Sequence, residues 1–451
     1  MQNRNSDVIV IGAGIAGLAA FKRLHQGGLN VLVLEARDRL GGRIHTIRPE
    51  GLRYPVELGA EFVHGRFPGF WESLDASGVR LNDTCVNHWT SVNGVLKPEE
   101  DYYKLIDGFF AELDKEANQS EQDMSVAAFA AVLEQRDPSM LAACQAGMEF
   151  VENYLAAPRA EVGIKFLAKG EAAAQTIGTE ALQVLDGYDN VLATFLNDSG
   201  ENLHSKVHLN TVVKAIDWQV GRVQVTASAA DEAQDVLYSA RQVIVSVPLG
   251  VLQIEPPAPG AITFRPALVQ KQKAIASLRM GKIERVVAIF ASRFWEDLKD
   301  GSEAFPEFGF IHCAEAPIAH WWSQYPVRSP ILVGWVSAVS SVVLPEDPDL
   351  LRECVVKSLA VLFGEKRDFI EGQLVDCYYH DWGRDPYARG AYCYHATGTA
   401  DLVQELAQSV EDTLYFAGEA TEDSGFTGTV HGAMKTGLRA AEQVLSKINV
   451  V

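Results

Sequence analysis

DVIVIGAGIAGLAAFKRL, residues 7–24, is an apolar run of strand length that breaks on Gly12-x-Gly14-x-x-Gly17 and continues at helical spacing. Strand, glycine turn and helix in that order open a βαβ unit. Gly12 permits the tight turn, Gly14 lets backbone approach a pyrophosphate, and Gly17 lets helix and strand pack closely. Phosphates bind at the N-terminus of such a helix, the turn that carries Ala16, because its free N–H groups and dipole favour negative charge. A second strand, NVLVLEA, comes next and ends in Glu35, where a carboxylate can accept hydrogen bonds from a ribose diol. The stretch predicts an α/β fold with a Rossmann-type dinucleotide-binding domain.

With 451 residues the chain is long for one core, and a second domain is expected. Asp plus Glu number 59 against 39 Lys plus Arg, a net charge of −20, which argues against a nucleic-acid partner. The start, MQNRNSDVIVIGAG, lacks a basic segment ahead of a cleavable apolar one, and EQVLSKINVV is too short and polar to span a bilayer. A cytoplasmic protein without membrane attachment is expected. Cys85, Cys144, Cys313, Cys354, Cys377 and Cys393 are scattered without a C-x-x-C pair, and the histidines show no ligand spacing. Neither a disulfide framework nor a metal site is expected.

The residues beyond Glu35 separate flavin from nicotinamide. EARDRLGGRIHT continues through Ala36 and Arg37 to Gly41-Gly42-Arg43, a second place where backbone can approach phosphate with a cation beside it. In ELGAEFVHG, Gly59-Ala60 can let the chain pass closely over a flat ring. Near the other end, FAGEATEDSGFTGTVHGAMKTGLRAA (residues 416–441) runs from Gly418-Glu419 into a helix predicted to begin near Thr429, with Val430, Met434, Leu438, Ala441 and Leu445 at helical spacing. Its bare N-terminus favours an electronegative group.

These stretches together resemble the flavin-containing amine oxidase family, nearest to its polyamine-oxidase-like bacterial members. The resemblance implies non-covalent FAD in a glutathione-reductase-like domain built from residues 1–78, 204–260 and 390–451. An α+β substrate domain would comprise 79–203 and 261–389, mostly helical over about 100–200. Gly12, Gly14, Ala16, Gly17, Glu35, Ala36, Arg37, Gly42, Arg43, Gly59, Ala60, Glu61, Phe62, Val213, Trp382, Gly418, Glu419, Thr429 and Val430 would contact the cofactor, Glu61 through its backbone. The C-terminal helix would pack end-on against the flavin pyrimidine ring, its dipole stabilising negative charge there.

In DWGRDPYARGAYCYHATG (381–398), Tyr392 would form one wall of an aromatic slot for an amine, while Ala391 occupies the place where covalent members carry a tethering cysteine. The second slot aromatic of those members falls on Thr429, so one wall is expected to be missing. His64 could bond the amine or share in proton traffic with a pKa near neutrality. In MGKIERVVAIFASRFW, counting back from Trp295 to the family's lysine position lands on Arg285. Ile283, Arg285, Val287 and Ile289 share one strand face, with Lys282 on the other unless a bulge intervenes. Arg285 is therefore expected at the flavin, with Lys282 the alternative. The implied reaction is oxidation of a primary or secondary amine, polyamine-like first, with O₂ as acceptor and hydrogen peroxide as product; the oligomeric state is left open. An L-amino-acid oxidase, which needs a cation for the substrate carboxylate, and a flavin-bearing binding protein without turnover are the alternatives.

Overall fold

The computed structural model describes residues 4–84, 88–99, 101–198, 200–230, 232–300, 303–304, 308–337, 339–340 and 342–448; Cys85 lies outside them. The opening motif forms the strand Val8–Ile11 and the helix Ile15–Gln26. That strand is central in a five-stranded, all-parallel sheet with Val207–His208, Val31–Leu34, Gln242–Val245 and Leu414–Phe416. Both faces are covered, as a parallel sheet requires. Val8 and Val10 face a core shared with the first helix, whereas Ile9 and Ile11 face the antiparallel hairpin Thr211–Gln219/Arg222–Ala229. The period of two thus divides one strand between two cores.

The C-terminal helix, Val430–Ile448, returns to lie along the first. Their backbones come so close that a Cβ on Gly437 would stand 2.0 Å from the Ala16 carbonyl oxygen; within the glycine turn, one on Gly17 would stand 1.9 Å from the Gly12 carbonyl oxygen. Glycine at these positions is a packing requirement.

The second large sheet has seven strands in the order Leu374–Tyr379, Glu284–Phe290, Ile331–Val336, His320–Ser323, Phe310–His312, His88–Val92, Val95–Pro98. Register places Arg285, Trp335, His320 and His312 in one cross-strand row, and Val287, Val333, Trp322, Phe310 and His88 in the next. Facing partners and alternate residues share a face, so both rows lie on one side of the sheet. The helices Tyr102–Gln119, Val126–Arg136, Leu141–Tyr154 and Ile164–Ile177 form a separate core above it.

Residues 181–203 depart from the division expected from sequence. The strand Ala181–Val184 pairs with Phe62–His64 and Leu81–Asp83, and Leu182, Tyr188, Leu192 and Leu196 pack into the core of the first helix. Four residues are too few to show a period, so the pattern of the preceding helices masked them. Among the described residues no helix is long and apolar enough to cross a membrane.

Gly437→Val forces the two helices apart and is expected to destabilise the fold by about 1–3 kcal/mol, read as a lowered urea midpoint with unchanged slope.

Candidate active site

One cavity, with an empty volume of about 2540 Å³ including its open rim, runs from the first glycine turn to the aromatic face of the second sheet. At its nucleotide end Gly12, at φ 101°, makes the turn, and the place of a Gly14 side chain is open, with only the Gly41 carbonyl oxygen at 3.9 Å. No side chain caps the helix that begins after Gly14. Glu35 is buried, and burial raises its pKa; its oxygens accept from the Ala13 amide (2.6 Å) and the Arg37 amide (2.8 Å). Each oxygen keeps a further acceptor site for a hydroxyl. Ala16, Ala36, Gly42, Gly59, Ala60, Phe62, Val213, Gly418 and Val430 also line the cavity. A Cβ on Gly59 would collide with the Arg43 carbonyl at 1.9 Å, so this chain crossing excludes side chains as a close-packed ring site demands.

Three guanidinium–carboxylate pairs run along the wall. Arg37 grips Asp385 in a two-pronged pair (2.7 and 2.8 Å), Arg43 donates to Glu419 (2.8 Å) and to the Ala391 carbonyl (2.7 Å), and Arg285 donates to Glu61 (2.6 Å) and to the Gly59 carbonyl (2.8 Å). Each joins segments more than two hundred residues apart. Glu61 also receives the Gln183 amide (2.8 Å) and the Trp322 indole (3.2 Å). Arg285 Nε is buried without a protein partner. Trp382 donates its indole N–H to the Leu58 carbonyl at 2.9 Å and borders the same space.

The strand parity read from the sequence places Ile283 and Arg285 on the cavity side. Lys282, the alternative to Arg285, is excluded from the cavity: its side chain is 61% exposed and its ammonium lies 3.8 Å from Glu284. No bulge turns it inward, because pairing is regular from Glu284 to Ile289 on the Ile331–Val336 side.

His64 lines the cavity, but burial pushes its pKa down to about 4. The near-neutral titration expected of it is therefore corrected; it is a neutral imidazole, able to donate and accept one hydrogen bond each. Tyr392 lines the cavity and donates its hydroxyl to the Tyr154 carbonyl at 2.5 Å. Thr429 is a helix cap: its hydroxyl donates to the Phe426 carbonyl (2.7 Å) and accepts from the Gly432 amide (3.0 Å).

One further aromatic residue of the cavity is marked by no sequence pattern. Tyr154, last residue of its helix, lines the cavity edge-on to His64 at 5.7 Å and stacks on Phe150 at 5.3 Å. The end of that helix is fastened by the Trp335 indole on the Asn153 carbonyl (3.1 Å), by Tyr392 on Tyr154, and by the Lys282 amide on the Ala156 carbonyl (2.8 Å). Tyr154 belongs to an ordinary helical pattern, so only the tertiary fold reveals it. Trp322 and Trp335 share a face with Arg285 only through register between strands.

The family model described as flavin containing amine oxidoreductase matches residues 15–445, and the chain belongs to that family. FAD is its cofactor, and the open Gly14 face, the uncapped helix and the Glu35 carboxylate are fitted to hold the nucleotide. Lysine-specific histone demethylase 2 of Homo sapiens is 29% identical over 98% of this chain and 53% of its own length, so the chain spans about half of that relative. Polyamine oxidase 3 of Oryza sativa subsp. japonica is 27% identical over 99% of this chain and 90% of its own. The solved structure of wild-type putrescine oxidase bound to putrescine aligns with a TM-score of 0.77 over 98% of this chain and 100% of that one, at 21% identity, and shares the fold.

Acid precipitation is expected to release FAD into the supernatant. Ala391 offers no thiol, and Cys393 is held protonated by burial, its thiol directed at the Tyr394 carbonyl at 3.7 Å. Flavin retained in the pellet contradicts this. A second expectation concerns acid. His395, tilted against Phe166 with ring centroids 4.3 Å apart, is lowered to about 4 by burial and by Lys169. The unfolded chain, whose imidazole titrates near about 6.5, then binds more protons than the folded one between about pH 4 and 6.5. Stability falls as pH drops through that window, and His395→Phe should shrink the fall, measured by urea unfolding at both ends.

Proposed function

We propose that the protein oxidises a primary or secondary amine to an imine, which water hydrolyses to a carbonyl compound, with O₂ reduced to hydrogen peroxide. FAD supplies the hydride-accepting group and passes the electrons to oxygen. The cofactor half would comprise residues 1–78, 204–260 and 390–451, with the segment 181–203 packed onto it. The observation that carries the reading is the pairing of every guanidinium in the cavity wall among the described residues: Arg37 with Asp385, Arg43 with Glu419, Arg285 with Glu61. An L-amino-acid substrate needs a free cation for its carboxylate, and an unpaired buried carboxylate is costly. An amine reacting in its uncharged form needs none.

Within that wall Arg285, fixed by Glu61 and by the Gly59 carbonyl, holds its Nε–H for a water or polar atom; a guanidinium is donor only, so it positions and does not act as base. Neutral His64 can accept a hydrogen bond from the amine N–H. The rings of Tyr392 and Tyr154 narrow the approach and exclude stray water, which favours one orientation of the reacting C–H. Polyamine oxidase and putrescine oxidase among the similar proteins support an aliphatic amine of the polyamine class.

A peroxide-coupled panel of amines and L-amino acids tests the reading: turnover of amines is expected, and a preference for amino acids overturns it. Tyr154→Ala should raise KM about tenfold, roughly 1.4 kcal/mol, with FAD content unchanged.

A further inference from the structure

Amine oxidation at the inner cavity leaves open what lies at the end of the substrate remote from the reacting nitrogen, and the outer cavity bears on this. Its floor continues from Arg285 through Trp335 to His320 in one row, and through Trp322 and Phe310 to His88 in the next. The rings form a continuous surface: Trp335 to Trp322 at 5.6 Å, Trp322 to Phe310 at 6.1 Å, Phe310 to His88 at 4.9 Å. Tyr102, at the start of the helix Tyr102–Gln119, stacks on the other side of His88 at 4.5 Å, and Tyr103 bonds the His88 Nε2 at 2.6 Å. His320 stacks on His312 at 4.4 Å.

Charge is what this end lacks. Among the described residues lining the cavity the carboxylates are Glu35, Glu61 and Glu419. Glu35 takes backbone amides at the nucleotide end, Glu419 takes Arg43 and the Cys393 amide, and Glu61 takes Arg285, Gln183 and Trp322. Glu99 and Glu149 approach Tyr102 from outside the wall, Glu99 already accepting from Thr90 at 2.8 Å. Burial lowers His88 to about 4 and, with its neighbours His312 and His88, His320 to about 3. His88 has already engaged its Nε2 with Tyr103, but neutral His320 presents one donor and one acceptor, which suits an amide; an ammonium is donor only.

A second ammonium bound here would gain only the modest attraction of ring faces. That does not offset the cost of leaving water without a counter-ion. We infer that the outer cavity selects an amine whose far end is uncharged and planar, an N-acyl or aryl group, over one that ends in a second ammonium. The inference rests on the amine-oxidase reading and sets the substrate class within it.

The test compares putrescine, its mono-N-acetyl derivative and phenylbutylamine on the FAD-loaded enzyme at neutral pH, by anaerobic flavin bleaching and by peroxide-coupled turnover. The acetylated and phenyl amines should exceed putrescine in kcat/KM by about tenfold or more, mainly through KM. His320→Asp, which adds a carboxylate beside the floor, should move the preference toward putrescine. Equal or better turnover of putrescine by the unaltered enzyme overturns the inference while leaving amine oxidation intact; bleaching by none of the three overturns both. A preference unmoved in a folded His320→Asp variant also counts against it.

Discussion

Pairing of guanidinium and carboxylate across distant segments is the constraint on which the site depends. Arg285 and Glu61 are 5% and 6% exposed at the side chain and 2.6 Å apart, and either one left alone at that depth would be a costly unpaired charge. Their pairing fixes the second sheet against the turn Gly59–Glu61, and the Gly59 carbonyl takes another guanidinium N–H. Arg43 with Glu419 fixes the other flank in the same way, and Arg37 with Asp385 the outer edge of the nucleotide end. Removing one member of such a pair strands the other, so the pairs act as fasteners and as charge neutralisers together.

From these fasteners comes the chemistry of the cavity. The nucleotide end offers backbone, a helix terminus and one carboxylate, the donors and acceptors a dinucleotide needs. The substrate end offers rings, neutral imidazoles and amide-like partners, with each fixed charge already compensated. Close helix contact at Gly437 holds the C-terminal helix against the first, which brings Thr429 and Val430 to the same cavity as Gly14, some four hundred residues earlier.

Legibility in the sequence divides along physical lines. The glycine turn and Glu35 were readable because backbone conformation there is set locally; Gly12 has φ 101°. Strand parity put Arg285 and Lys282 on opposite faces, and local alternation sufficed for that. Tyr154, Trp335 and His320 were not readable as neighbours. Their meeting depends on register between strands and on where a helix ends, and both are fixed by contacts far apart in sequence. The depressed pKa of His64 was hidden for the same reason, since desolvation belongs to the assembled cavity.

The most direct measurement of the central claim is a double-mutant comparison of Glu61→Gln, Arg285→Met and the double variant, each loaded with FAD. The readout is the rate of anaerobic flavin reduction by the best amine of the panel. Glu61→Gln leaves a bare cation in the wall, and amine reduction should slow by about tenfold or more, while the double variant recovers most of the loss because the charge is gone. If the double variant is as slow as or slower than Glu61→Gln alone, charge compensation by this pair is not what shapes the site.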